Sequence, residues 1–239
     1  MNIKNILKKT RAYRIYRDRA DRIYNAKMSV KNEAFKAEAF DVLRLFMDAM
    51  NKENIPCWLE FGTLLGCYRE HDFIKHDFDL DTGAWFKDHE LIRSVLEKNG
   101  FERIRYYYVK DEDSLEECYK HKDFKTTIDV FYFVNSEDLS YCYSFRPLKS
   151  MKHRWQLNRE QPSDSIRMTF PTIVPEDSSF KGLSVKIPGN VEAHLAATYG
   201  DDFMTPIPDF ISLNRKLNKT YFSFREKPAY AFLKFGYLD

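Results

Sequence analysis

Three aspartates recur at every second position in the run His76-Asp77-Phe78-Asp79-Leu80-Asp81. Alternate side chains of an extended strand share a face, so Asp79 and Asp81, with Asp77 ahead of them, project the same way. Carboxylates held so close repel unless a cation neutralises them, and hard oxygen donors select Mg²⁺ or Mn²⁺ over zinc. A solvated acidic loop is the ordinary alternative, but these acids sit among Phe73, Ile74, Phe78, Leu80, Trp85 and Phe86. A further acid, Asp129, interrupts the apolar run Ile128-Asp129-Val130-Phe131-Tyr132-Phe133. Burying a lone carboxylate is costly, so Asp129 either meets the same cation from a neighbouring strand or faces water at a sheet edge. Upstream, Gly62-Thr63-Leu64-Leu65-Gly66 and then Arg69 supply a glycine turn, a helix start with free N–H groups and a cation. That combination suits a phosphate, although a helix cap beside a surface arginine is the plainer reading. His71 and His76 are alternative bases or simply surface histidines.

These residues need elements to position them. Phe35, Ala39, Val42, Leu43, Phe46 and Met50 fall at three- and four-residue steps and predict a helix over residues 31–53. Residues 54–56 break it, 57–61 read as a short buried strand, and Gly62-Thr63 reads as the cap of a short helix over 64–69. Residues 77–86 read as the acid-bearing strand and 88–98 as a helix ending at Gly100. Further strands are expected near 101–109, 126–134, 141–145 and 183–187. A helix over 190–199, closed by Gly200, and a polar helix near 213–221 complete the reading.

With 239 residues, 44% of them hydrophobic, the chain can bury a sizeable core, and disordered, collagen-like and coiled-coil classes are excluded. None of its eight glycines forms a dinucleotide-binding or P-loop pattern. Cys57, Cys67, Cys118 and Cys142 match no zinc or redox spacing, so reduced, mostly buried thiols are expected. The 38 aromatic residues, Tyr106-Tyr107-Tyr108 among them, are expected to serve the core and cross-strand pairs, with a sugar-stacking platform as the other use. No apolar window long enough to span a bilayer and no secretory leader are seen, which predicts a cytoplasmic protein. The formal charge of +2 conceals an asymmetry: residues 1–29 hold nine Lys/Arg against Asp18 and Asp21, a net +7. The sequence therefore divides into a basic amphipathic helical segment, 1–30, and one α+β unit, 31–239. The segment suits either an anionic membrane surface at the inner face or a solvated helix packed on the body. Neither a zinc module nor an RNA-binding aromatic motif points to nucleic acid.

Taken together, Gly62-Thr63-Leu64-Leu65-Gly66-Cys67-Tyr68-Arg69, Asp72-Phe73-Ile74 and Asp77-Phe78-Asp79-Leu80-Asp81 resemble the signature of the LicD/fukutin family, which runs G-T-x-L-G-x-x-R, a linker with F-I, and D-x-D. The segments 127–131, 183–188 and 199–206 are similar to its later blocks, so the resemblance covers roughly residues 55–206, nearer the fukutin branch. It implies a nucleotidyltransferase-like mixed sheet flanked by helices. The implied activity is metal-dependent transfer of a phospho-alcohol, such as phosphocholine, ribitol phosphate or glycerol phosphate, from a CDP-linked donor to a hydroxyl of a cell-surface glycan, free or lipid-linked. Carried over, Asp79, Asp81 and Asp129 are the metal-binding and catalytic acids, and Gly62, Thr63 and Arg69 the donor-phosphate contacts. Whether Asp129 ligates Mg²⁺ (or Mn²⁺) or accepts the hydroxyl proton stays open. Lys75, His76 and Phe78 depart from the family pattern, which leaves the donor's alcohol unread. The alternatives are an Asp-x-Asp glycosyltransferase using a nucleotide-sugar and a non-catalytic membrane-surface docking protein.

Overall fold

A computed structural model of the chain describes residues 11–147, 157–206 and 217–237. The first element is a helix of 42 residues, α1 (Arg11–Lys52), about 63 Å long at 1.5 Å per residue. Phe35, Val42, Leu43, Phe46, Met47 and Met50 are buried along one stripe of its C-terminal half, as the three- and four-residue spacing requires. The backbone is helical on both sides of residue 30, so no break separates the basic segment from the body.

The remaining elements are β1 (Cys57–Leu59), α2 (Phe61–Leu65), a π-helical turn (Gly66–Glu70), β2 (Asp79–Trp85), α3 (His89–Lys98), β3 (Phe101–Val109), β4 (Glu116–His121), β5 (Thr127–Ser136), β6 (Leu139–Pro147), β7 (Gln161–Pro171), β8 (Pro175–Phe180), β9 (Leu183–Pro188), α4 (Val191–Tyr199), β10 (Lys219–Phe222) and β11 (Ala229–Leu233). Nine strands form one mixed sheet in the order β1-β2-β5-β4-β3-β11-β7-β10. Strand β6 pairs with both β5 and β7, so β5, β4, β3, β11, β7 and β6 make a closed ring of pairings. Strands β8 and β9 form a separate hairpin. The mixed sheet with flanking helices agrees with the expected class.

Leu80, Ile128, Val130 and Tyr119 share a cluster with residues of α1 and α3, whereas Trp58, Phe131, Phe133, Met168 and Phe170 form a second one. The two clusters use alternate positions of β5, so the sheet separates them. Gly83 lies opposite Trp58, and a Cβ there would stand 2.3 Å from the indole Nε1; glycine lets the indole lie flat on β2.

Several expectations need correction. Residues 219–222, read as the end of a polar helix, are β10, because Lys219-Thr220-Tyr221-Phe222 adds to a free stretch of β7. The earlier part of that expected helix, 213–216, lies outside the described residues. Gly62 and Thr63 do not cap a helix; Glu60 does, and both lie inside the first turn of α2. Strands β4, β7, β8 and β11 were not expected, since sequences such as Glu116-Glu117-Cys118-Tyr119-Lys120-His121 become strands only between partners.

Candidate functional site

Parallel pairing of β2 with β5 sets Asp81 directly beside Asp129 and Asp79 beside Thr127. In the antiparallel partner, Cys118 of β4 lies opposite Asp129, and Arg105 of β3 lies opposite Cys118. Directly paired residues share a sheet face, so Asp79, Asp81, Asp129, Cys118 and Arg105 stand on one side. Asp129 is buried in the interior of the sheet, which removes the water-facing edge reading.

Asp77 precedes the strand rather than belonging to it. The Asn32 side-chain amide of α1 donates to the Lys75 and Asp77 carbonyls at 3.0 and 2.6 Å and pins that loop. Asp81 is held at three points. Its N–H donates to Thr63 Oγ1 (2.8 Å), its carbonyl accepts from Glu60 N–H (3.1 Å), and its carboxylate Oδ2 accepts from Gly62 N–H (3.1 Å). A Cβ on Gly62 would meet Asp77 Oδ2 at 2.9 Å and Asp81 Oδ2 at 3.2 Å, so glycine is what lets backbone approach two acids. Thr63 is buried and stands outside the cleft lining, and its hydroxyl accepts from the Asp81 N–H.

Asp77, Asp79, Asp81 and Asp129 open into a cleft of about 1070 Å³ that Gly62, Arg69, Phe131, Tyr199 and Phe203 also line. Arg69 reaches this cleft with part of its guanidinium occupied: Nε donates to Glu70 at 2.8 Å and Nη1 to the Phe203 carbonyl at 3.0 Å. His76 lines the rim of the cleft, while His71 ends the π-helical turn at φ 54° outside it. The stacked pairs Tyr106–Phe232 and Tyr108–Tyr230 are cross-strand partners of β3 and β11, away from the acids.

Electrostatically the cleft is short of positive charge. Burial pushes the Asp77 carboxyl up to about 6. Burial, then the charges of Asp129 and Asp77, push Asp79 up to about 7. Asp81 lies well above the carboxylate range through burial and then the Asp79 charge. Arg105 Nη2 approaches the Asp129 oxygens at 3.2 and 3.4 Å and is the neighbouring counter-ion. Among the described residues no three His, Cys, Asp or Glu side chains stand as a ready-made metal site. The donor set fits a divalent cation all the same. It consists of hard carboxylate oxygens, Asp129 buried and the other three half-buried in the cleft wall, whose mutual repulsion an ion removes.

Sequence reasoning missed Arg105, Glu60 and His194. Arg105 looks like part of an ordinary basic strand; Glu60 and His194 are 134 positions apart and meet only through the fold.

Residues 54–190 match the family described as LicD/FKTN/FKRP, nucleotidyltransferase domain. The human ribitol-5-phosphate transferase FKTN is 26% identical over 180 residues, 75% of this chain and 36% of that protein. An uncharacterized protein of Rickettsia prowazekii is 32% identical over 110 residues, 45% of this chain and 38% of that protein. The chain thus spans little more than a third of the length of these relatives. A lincomycin-bound lincosamide antibiotic adenylyltransferase, LnuA, is 15% identical with a TM-score of 0.40, covering 70% of this chain and 92% of that structure.

Proposed function

Because the chain belongs to the LicD/FKTN/FKRP nucleotidyltransferase-domain family, we propose that it is a phosphotransferase moving a phospho-alcohol from a CDP-linked donor to a glycan hydroxyl. The observation that carries this reading is the register that puts Asp81 of β2 beside Asp129 of β5, with Asp79 on the same face of one cleft. Asp79 and Asp81, with Asp129, would hold Mg²⁺ or Mn²⁺, which when bound supplies charge neutralisation for a pyrophosphate. The Asp81 carboxylate is pre-aimed by the Gly62 N–H, so it needs no reorganisation on binding. Arg69 faces the same cleft with its Nη2 donors and the second Nη1 proton left to contact a donor phosphate oxygen. As the acceptor oxygen closes on the phosphorus bearing the alcohol, its proton passes to a carboxylate of the cluster and CMP leaves.

Asp129 suits the acceptor's side of the exchange less than Asp79 does, because Arg105 holds it as a counter-ion. Ribitol phosphate is the first alcohol to try, since the human relative is a ribitol-5-phosphate transferase. The reading extends to location. No helix among the described residues is long and apolar enough to cross a membrane. Residues 1–29 carry a net +7, and from Arg11 onward they lie on the same helix whose Asn32 pins the acid loop; that charge suits an anionic bilayer bearing a lipid-linked acceptor.

Incubation with CDP-ribitol, CDP-glycerol and CDP-choline, each with Mg²⁺, is expected to release CMP and add a phospho-alcohol mass to the acceptor. A product that gains sugar without phosphate would instead establish the glycosyltransferase alternative, and no CMP from any donor overturns the proposal.

A further inference from the structure

Behind the cleft wall, Glu60 and His194 form a pair in which both side chains are fully buried, with His194 Nε2 2.6 Å from Glu60 Oε1. Both oxygens of Glu60 accept hydrogen bonds. Oε2 takes the Trp58 indole N–H at 2.9 Å, and Oε1 also takes the Phe61 N–H at 3.2 Å. With both oxygens accepting, His194 donates from Nε2. Its Nδ1 is buried with no partner, and Phe170 stacks on the ring at 4.5 Å between centroids. A histidine with one nitrogen left bare is poorly explained as filler, because an apolar residue would carry no such cost.

The pair sits where four elements converge: Trp58 from β1, the start of α2, β2 through the Glu60 N–H to Asp81 carbonyl bond, and α4. One residue beyond Phe61 is Gly62, whose N–H orients the Asp81 carboxylate. Phe61 adopts φ 41°, a left-handed conformation that a non-glycine residue holds only when its surroundings impose it. The Glu60 carboxylate, gripping the Phe61 N–H while itself gripped by His194 and Trp58, is positioned to impose it.

We propose that His194 and Glu60 are positioning residues. Their buried link holds the strained Phe61-Gly62 turn, and thereby aims Asp81 into the cleft without touching substrate. The proposal rests on the phosphotransferase reading for its catalytic consequence, but not for its structural one.

The test exploits side-chain reach. A Gln amide at 194 reproduces the Nε2 donor, whereas an Asn amide reproduces only Nδ1 and falls short of Glu60. H194Q is expected to keep Mn²⁺ affinity, amide-exchange protection across residues 60–66 and kcat near wild type. H194N is expected to bind Mn²⁺ about tenfold more weakly, to exchange faster over 60–66, and to lose on the order of 10²-fold in kcat with donor KM little changed. The E60M/H194L pair, apolar and of similar volume, is expected to fold yet show the H194N defects. Overturning results are Gln performing no better than Asn, wild-type transfer by E60M/H194L, or melting of both H194N and E60M/H194L below the assay temperature, which would make the pair a pillar of the fold instead. Mn²⁺ titration and amide exchange need no donor nucleotide. A wild-type protein inactive on every CDP-alcohol therefore sinks the functional reading while leaving this comparison intact.

Discussion

The two faces of strands β4 and β5 carry buried carboxylates in opposite electrostatic circumstances. On the helix-covered face, Glu117 is fully buried and satisfied four times over: Arg93 and Arg103 bind Oε1, while the Tyr119 and Tyr132 hydroxyls donate to Oε2 at 2.6 and 2.8 Å. On the cleft face, Asp77, Asp79, Asp81 and Asp129 converge with Arg105 as the ion-paired cation nearest Asp129 and Arg69 beyond it. One cluster is closed, its single carboxylate outnumbered by the two guanidinium groups and two hydroxyls that hold it. The other gathers more carboxylates than cations around a cavity, an imbalance that a bound cation would relieve. Burial alone does not mark function; the balance of charge around a buried group does.

The largest effect expected from this contrast is on stability, at Glu117. Glu117→Ala leaves two guanidinium groups facing an emptied site and is expected to destabilise the fold by about 3–5 kcal/mol, read by chemical denaturation. Whatever remains folded should still transfer. A Glu117→Ala protein of wild-type stability would erase the distinction between the two faces.

Asp81→Asn and Asp79→Asn are expected to do the reverse. Each should reduce transfer by on the order of 10²-fold or more, with the melting temperature of the metal-free protein unchanged or raised, because one repelling charge is gone. Near wild-type turnover with Mg²⁺ in both variants breaks the assignment.

The surplus of charge also predicts a pH dependence in EDTA. Asp79 in the folded chain titrates at about 7, above the ordinary value of about 3.9, so the folded state keeps a proton that the unfolded state releases. Stability is therefore full below about pH 4 as far as this group is concerned and falls as pH rises to about 7. Melting temperatures should be lower at pH 8 than at pH 5, and excess Mg²⁺ or the Asp79→Asn change should flatten that slope. A metal-free protein that gains stability over the same interval contradicts the unbalanced cluster.

The smallest change sharpens the phosphate side. Arg69→Lys keeps the charge but loses the planar fork, and donor affinity by calorimetry is expected to fall about tenfold, with metal affinity little altered. Unchanged donor affinity would leave Arg69 as a strap holding the Phe203 carbonyl.

Local chemistry made much of this protein readable from its residues. The period-two acids of 77–81, the helical spacing from Phe35 to Met50, the Gly100 and Gly200 stops and the signature around Gly62 and Arg69 depend on neighbours within a few positions, which is the range over which backbone geometry repeats. What only the tertiary structure decided involves partners far apart in sequence. The role of Asp129 hung on whether β5 lay at an edge or between β2 and β4, and no local pattern carries that information. The two arginines of β3 show why most plainly. Simple alternation puts Arg103 and Arg105 on one face, but a register shift between them opposes Arg103 to Tyr119 and Arg105 to Cys118. Arg103 thus serves Glu117 on the closed face and Arg105 serves Asp129 on the open one. A bulge is stabilised by the pairing of whole strands, so the charge that tells structure from site on this sheet exists only once the chain has folded.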